Sequence, residues 1–166
     1  MKVRELHLPF YVGGFMGPFG ATVILPMFPE LRRSFNVSSQ AIGWGFTAYL
    51  LPFALLLLVS GTLGERWGRQ RTVRATYLLY TLASVLCAVS PSITMFLFAR
   101  SLQGIATAFI TPLLLSGLAE MVPPEHFGRQ VGIYSSFQAL GVGLAPIVGG
   151  IAADTSWEAA FWGTAA

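Results

Sequence analysis

The chain has 166 residues, of which 54% are hydrophobic and only 10% are charged. Soluble domains usually carry about 25% charged residues, so this composition excludes an ordinary water-facing surface and suits a surface that faces lipid. The net charge of +3 comes from basic residues scattered between apolar runs, which gives no indication of nucleic-acid binding.

Five apolar segments are long enough to cross a membrane, because a hydrocarbon core about 30 Å thick needs roughly 20 helical residues. The predicted spans cover residues 8–28, 41–63, 73–89, 93–118 and 131–153. The start of a sixth span follows from residue 157. Cys87, the only cysteine, is predicted to be a small buried side chain in the third segment. The sequence therefore predicts an all-α membrane protein, with a partial transmembrane domain over residues 1–166.

The orientation of these spans follows from the distribution of Lys and Arg. Seven basic residues fall on the side of the N-terminus: Lys2, Arg4, Arg66, Arg69, Arg71, Arg74 and Arg129. The opposite side has only Arg32 and Arg33. The positive-inside rule then predicts a cytoplasmic N-terminus in a cell (inner or plasma) membrane, with an uncleaved first helix.

The first motif is the loop between the second and third spans, where residues 61–71 read GTLGERWGRQR. Its glycines allow two helices to approach closely and the chain to turn tightly. Glu65 lies near a helix C-terminus, where a negative charge is unfavourable unless a partner compensates it. Three arginines of the same loop are candidate partners: Arg66, Arg69 and Arg71.

This loop resembles the signature loop of the major facilitator superfamily, with Glu65 in place of the usual aspartate and Gln70 interrupting the basic run. The resemblance implies a charge latch on the cytoplasmic side that stabilises the outward-open state. The matching latch residues are Gly61, Glu65, Arg66, Gly68, Arg69 and Arg71. The alternative is a basic loop that only sets the topology.

The second motif places an arginine inside the fourth span. Arg100, Gln103 and Thr107 share one helix face, which Thr111 extends. An arginine facing lipid costs at least ~2.5 kcal/mol, so Arg100 should face a partner or a water-filled cavity. The alternative is an arginine that snorkels to the outer interface. Together with Gly104, the stretch resembles the fourth-helix motif of proton-coupled facilitators, whose arginine is implicated in proton coupling.

The third motif runs through the fifth span. Its positions are Gly132, Gly141, Ala145, Pro146, Gly149 and Gly150. Small residues recurring every four positions predict a smooth groove for a close helix partner, and Pro146 allows a hinge. The pattern resembles the antiporter signature of the superfamily, with Ala145 in place of a glycine, and the resemblance implies export. The partner of the groove is expected outside this chain, and a generic packing face is the alternative.

Two further groups are predicted to be structural. Glycines of the first span form another small-residue face: Gly13, Gly14, Gly17 and Gly20. Charged residues at the end of the fourth span are expected to pair with Arg129 or with the first motif. They are Glu120, Glu125 and His126. The first span contains no acid, so the sequence leaves the proton carrier open.

No phosphate-binding glycine loop, metal-ligand cluster or catalytic Ser/His/Asp set stands in the sequence, which predicts no enzyme, cofactor or metal. The leading hypothesis is proton-coupled efflux of small organic molecules or drugs, with substrate, protons and the bilayer as partners. An uptake or sugar-type facilitator is one alternative, and a non-transporting fragment or scaffold that pairs with another half is a second. A C-terminal half is expected as structural partner, and the chain by itself is expected not to transport.

Overall fold

The computed structural model describes residues 8–165, and side chains from residue 10 onward. Seven α-helices occur in this part of the chain: α1 Leu8–Thr22, α2 Phe28–Phe35, α3 Ser39–Arg66, α4 Arg69–Ala88, α5 Ile93–Met121, α6 Pro124–Thr155 and α7 Trp157–Ala165. A 3₁₀ turn at Leu25–Met27 joins the first two. Lys2 and Arg4, on which part of the predicted orientation rests, lie outside the described residues.

Four helical stretches are long and apolar enough to cross a membrane: Phe10–Phe35, Ser39–Arg66, Ile93–Met121 and Pro124–Thr155. They coincide with four of the five predicted spans. The remaining segment, 73–89, lies in α4, which has 20 residues and a length of about 30 Å. Three arginines near its start make this helix more polar, so the count of five complete spans stays a prediction.

The first span is broken, in contrast to the single span predicted over residues 8–28. Helix α1 ends at Thr22, and Pro26 lies in the 3₁₀ turn, where its missing N–H cannot continue the helical ladder. Residues 29–33, which follow the predicted span, belong to α2, because proline is tolerated in a first helical turn. Asn36 then ends α2 in the left-handed conformation, with a φ of 51°.

Helix α5 forms the centre of the bundle. It packs against α1, α3 and α4, while α6 packs along α1 and α7 along α4. In the most apolar stretch of each helix, 61% of the residues of α5 are buried, compared with 17% in α3 and 22% in α6. Aromatic and aliphatic side chains fill the core, where Phe96 contacts Phe35, Trp157 and Phe161. The polar residues of α5 are therefore held away from lipid, and α3 and α6 carry the exposed apolar surface.

Candidate functional site

One arginine joins three helices at the end of the bundle formed by the α3–α4 loop. Arg69 donates from Nε to Glu65 Oε1 at 2.7 Å and from Nη1 to Glu120 Oε2 at 2.7 Å. Its Nη2 donates to Glu65 Oε2 at 3.1 Å and also reaches the second oxygen of Glu120. Ser116 adds a hydroxyl bond to Glu65 Oε1 at 2.6 Å. Arg69 thus forms paired hydrogen bonds with two carboxylates, the geometry that suits a guanidinium best.

This cluster decides between the candidate partners of Glu65. Arg69 pairs with Glu65, whereas Arg66 and Arg71 are exposed and form no ion pair with a described residue. Arg69 donates hydrogen bonds to Glu120, which contributes most, and to Glu65. These bonds stabilise the charged guanidinium and raise the pKa of Arg69 above its ordinary value. Of the three charges expected to pair with Arg129 or with the first motif, Glu120 pairs with Arg69 of that motif, whereas Glu125 and His126 form no ion pair with a described residue.

The loop between α3 and α4 turns at Gly68, whose φ of 94° is unfavourable for a residue with a side chain. Gly64 lets α3 approach α5, since a Cβ there would lie 2.5 Å from Leu113 Cδ1. A Cβ on Gly61 would only reach ordinary contact, 3.6 Å from Pro112. The glycines of the first motif therefore have different tasks, of which the turn at Gly68 and the close packing at Gly64 are the strictest.

Arg100 is completely buried in the middle of the bundle, which rules out the snorkelling alternative. Its guanidinium donates to Gly20 O at 2.8 Å, to Gln103 Oε1 at 2.8 Å and to Gly45 O at 3.3 Å. The guanidinium carbon also lies 4.6 Å from the centre of the Tyr49 ring, a cation–π arrangement. All these partners are neutral, and no carboxylate among the described residues pairs with Arg100.

The break in the first span explains why an arginine belongs there. Gly20 and Ala21 lie in the last turn of α1, whose carbonyl groups lack intrahelical partners. Arg100 donates to both, at 2.8 Å to Gly20 O and 3.4 Å to Ala21 O. A cation is also favoured at a helix C-terminus by the helix dipole. Arg100 consequently caps α1 from another helix and fixes α1, α3 and α5 relative to one another.

Of the other members of the second motif, Gln103 belongs to the hydrogen-bond network of Arg100 and Thr107 lines a small cavity. Gln103 is buried and donates to Ser84 Oγ at 2.8 Å. Thr107 accepts a hydrogen bond from Tyr49 at 2.8 Å. A Cβ on Gly104 would overlap the carbonyl oxygen of Tyr49, so this position needs glycine for α3 and α5 to meet.

Thr107 and Thr111 line a cavity of ≈170 Å³ between α1, α3, α5 and α6. Tyr49, Phe53 and Gln138 are among its other walls. Arg100 and Gln103 do not line this cavity. The predicted polar stripe therefore reaches the cavity only at its threonine end, while its charged end is used inside the bundle.

The third motif forms a close seam between α6 and α1. A Cβ on Gly141 would lie 2.5 Å from Phe15 O, and one on Gly149 would lie 2.5 Å from Pro26 Cγ and overlap Val23 O. Ala145 between them is fully buried. The expectation that the partner of this groove lies outside the chain was wrong, because α1 at Phe15, together with Val23 and Pro26 just after its end, supplies the partner surface.

The remaining members of the third motif lie off this seam. Nothing lies within 4 Å of a Cβ built on Gly132 or Gly150. Pro146 is exposed inside a helix that continues to Thr155. By contrast, the glycine face of α1 is a true contact surface, since a Cβ on Gly17 would lie 2.8 Å from Thr107 and one on Gly14 would lie 2.8 Å from Tyr134.

Sequence reasoning missed two residues of these networks. The Tyr49 hydroxyl lies 2.9 Å from Gly17 O and 2.8 Å from Thr107 Oγ1, and its single proton is shared between these two acceptors. The signal in the sequence was a hydroxyl-bearing ring in the middle of an apolar run. Ser116 stands four positions before Glu120, which places both on one face of α5. Within residues 8–165, no group of three potential metal-binding side chains occurs.

Comparisons with known proteins identify the family of the chain. The sequence model of the Major Facilitator Superfamily matches residues 10–166. The uncharacterized MFS-type transporter EfpA of Mycobacterium tuberculosis is 31% identical over 154 residues, which cover 90% of this chain and 29% of EfpA. The drug efflux pump JefA of the same organism is 28% identical over 152 residues, covering 90% of this chain and 30% of JefA.

A solved structure shows the same fold. The bacterial homolog of the human lysosomal transporter Spinster, in an inward-facing and unoccupied conformation, superimposes with a TM-score of 0.69 at 23% identity. The match covers 92% of this chain and 31% of that one. This chain thus spans about a third or less of the length of the proteins it resembles. With four apolar spanning helices and a family match over nearly its whole length, the chain is a multi-pass membrane protein of the Major Facilitator Superfamily.

Proposed function

We propose that the protein carrying this chain exports small organic molecules, including drugs, in exchange for protons across the cell membrane. The observation that carries the proposal is the seam between α6 and the first span, where Gly141 lies against the backbone of α1 and Gly149 lies against Val23 and Pro26, just after α1 ends. Sealing these two helices closes one route along which protons would leak through the bundle. The resemblance of the α6 pattern to the antiporter signature supports the direction of transport, as does similarity to a relative named a drug efflux pump.

In this proposal each motif has one task. The Arg69 cluster is the latch, on the cytoplasmic side together with the N-terminus, and its ion pairs break when α3, α4 and α5 move apart. Arg100 takes part in proton coupling. Its hydrogen-bond partners are neutral and do not cancel its positive charge, so the guanidinium can still interact with a proton-binding or anionic group. Pro146 provides the hinge of α6.

Substrate would enter the cavity lined by Tyr49, Phe53 and Gln138. A cavity of ≈170 Å³ is smaller than the several hundred Å³ usual for a drug-sized ligand, which fits a site completed by a second half. The exposed apolar faces of α3 and α6 are where we place that half; Leu58 is 84% exposed and Ile151 62% exposed. Because the halves of such transporters rock against each other, the 166-residue chain alone is proposed not to transport.

The test is dye uptake into inverted membrane vesicles containing the protein that carries this chain. The vesicle lumen is made acidic relative to the outside, so that protons leave as dye enters, and the gradient is then collapsed with a protonophore. Dye accumulation that depends on the gradient is expected, together with loss of accumulation and increased proton leak in a Pro146→Ala variant. The matched control is Gly143→Ala, at an open position of the same helix.

Three results would contradict the proposal. Transport in the opposite direction would favour an uptake or sugar-type facilitator. A complete absence of transport by the protein in which the chain occurs would favour a non-transporting scaffold. Proton-dependent efflux by the 166-residue chain alone in liposomes would show that no second half is required.

A further inference from the structure

Two adjoining depressions meet at the start of α4. The first, here called the arginine pocket, is lined by Gly68, Arg69, Gln70, Arg71 and Arg74. The second is a largely apolar groove with a volume of ≈570 Å³, and its walls include Trp67, Arg71, Thr76, Leu79, Ile105 and Phe109. Arg71 lines both, so the arginine pocket and the apolar groove adjoin at this side chain.

Among the described residues, two arginines of the arginine pocket have no acidic partner. Arg69 takes both nearby carboxylates, those of Glu65 and Glu120. Arg71 and Arg74 are exposed and form no ion pair with any residue in the described part of the chain. No side chain within residues 10–165 caps the first turn of α4, whose N–H groups have no intrahelical partners. Two free arginines and the positive end of a helix dipole therefore converge on one place that suits an anion.

The apolar groove follows α4 away from this pocket. Thr72, Thr76 and Leu79 recur at the spacing of one helix face, and Ile105 and Phe109 of α5 form the opposite wall. Trp67 closes the end next to Arg71 and stacks on Phe109, with ring centres 5.9 Å apart. From Arg71 to Leu79 the groove runs about 12 Å along the helix, in a direction that leads from the loop into the apolar layer.

This groove faces away from the inner cavity. Ile105 and Phe109 are one turn apart on α5, whereas Thr107 and Thr111 line the cavity between α1, α3 and α6. Two positions along a helix correspond to a rotation of about 200°, so the two pairs point to opposite sides of α5. In a membrane the groove is therefore open to lipid.

We propose that this composite site binds one anionic phospholipid from the adjacent leaflet. Its phosphate lies at the start of α4 against Arg71 and Arg74, and one acyl chain lies in the groove between α4 and α5. The charge of the pocket selects an anionic headgroup, and the groove selects a lipid over a free phosphate ester. The two arginines that bind the phosphate are not the latch arginine: Arg69 also lines the pocket but is held by Glu65 and Glu120, whereas Arg71 and Arg74 form no ion pair with either carboxylate. The proposal holds whatever the direction of transport.

Native mass spectrometry of the chain released from detergent micelles tests the headgroup. Phosphatidylglycerol and phosphatidylcholine with identical acyl chains are titrated separately. We expect phosphatidylglycerol to bind more tightly, and Arg71→Gln and Arg74→Gln each to weaken it about fivefold. Arg66→Gln is the matched control, since Arg66 is an exposed arginine of the same loop that lines neither depression. Equal binding of the two lipids, or equal weakening by Arg66→Gln, would overturn the proposal.

A second pair of variants tests the groove. Ala75 is an exposed residue of the groove wall, and Ala75→Trp should fill the groove and weaken phosphatidylglycerol binding at least fivefold. Leu78→Trp, at an exposed position outside the groove, should leave binding unchanged. Circular dichroism checks that both variants remain helical. Water-soluble glycerophosphoglycerol should bind far more weakly than the lipid, and equal binding would identify a site for a free anion and overturn the proposal.

Discussion

The guanidinium Nη1 of Arg69 lies 2.7 Å from Oε2 of Glu120, a residue 51 positions further along the chain. This contact joins the first residue of α4 to the last turn of α5. Glu65, near the end of α3, accepts from the same guanidinium. Three helix ends are therefore held by one side chain, and any movement that separates them must break charged hydrogen bonds.

Replacing Glu120 should loosen this connection without removing it. Glu120→Gln loses the charge of one carboxylate but leaves the Glu65 pair, so we expect a lower melting temperature, with a smaller decrease than for Arg69→Gln. The melting temperature of the purified chain measures both. Glu125→Gln is the control, because Glu125 forms no ion pair with a described residue. An effect of Glu125→Gln as large as that of Glu120→Gln would contradict the assignment.

The seam between α1 and α6 should not tolerate larger side chains. Gly149→Val would place a Cβ 2.5 Å from Pro26 Cγ and against the Val23 carbonyl, and overpacking of this kind costs typically 1–3 kcal/mol. Gly143→Val, at an open position of α6, should change the free energy of unfolding by less than ~0.5 kcal/mol. Unfolding by a denaturing detergent compares the two, and equal stability would mean that the helices do not meet at Gly149.

Arg100 should be required for its shape as well as its charge. Arg100→Met leaves the last-turn carbonyl groups of α1 without their donor, at a cost of roughly 1–3 kcal/mol for a buried unsatisfied group. Arg100→Lys keeps the charge but cannot donate to Gly20 and Ala21 as a planar fork, so we expect an intermediate loss. In detergent unfolding, we expect stability to decrease in the order wild type, Arg100→Lys, Arg100→Met. A Met variant as stable as wild type would contradict the capping role.

The hydroxyl and the ring of Tyr49 should contribute separately. Tyr49→Phe removes the hydrogen bonds to Gly17 O and Thr107 Oγ1 and keeps the ring beside Arg100, so we expect a loss of about 0.5–1.5 kcal/mol. Tyr49→Ala removes both and leaves a cavity, which costs about 3–5 kcal/mol for a large aromatic residue. The same unfolding assay measures the difference. Equal losses would show that the ring does not stabilise the site.

Much of the local structure was predictable. Apolar runs gave four helices that match the predicted spans, because an apolar segment must satisfy its backbone hydrogen bonds internally when it enters lipid. The glycine faces of α1 and α6 were also visible, since their periodicity lies within one helix. The break after Thr22 was not predicted from Pro26 and Pro29. Membrane helices often tolerate proline, so the sequence alone does not show that a proline interrupts the helical hydrogen bonds here.

The sequence by itself determined the membrane class, the helical architecture and the motifs that mark the family, because composition and helical periodicity are properties of neighbouring residues. Only the tertiary structure decided which partners those motifs meet: Arg69 for Glu65 and Glu120, the last turn of α1 for Arg100, and α1 for the groove of α6. Residues such as Gly20 and Arg100 are 80 positions apart. Their contact depends on how whole helices pack, and no local pattern contains that information.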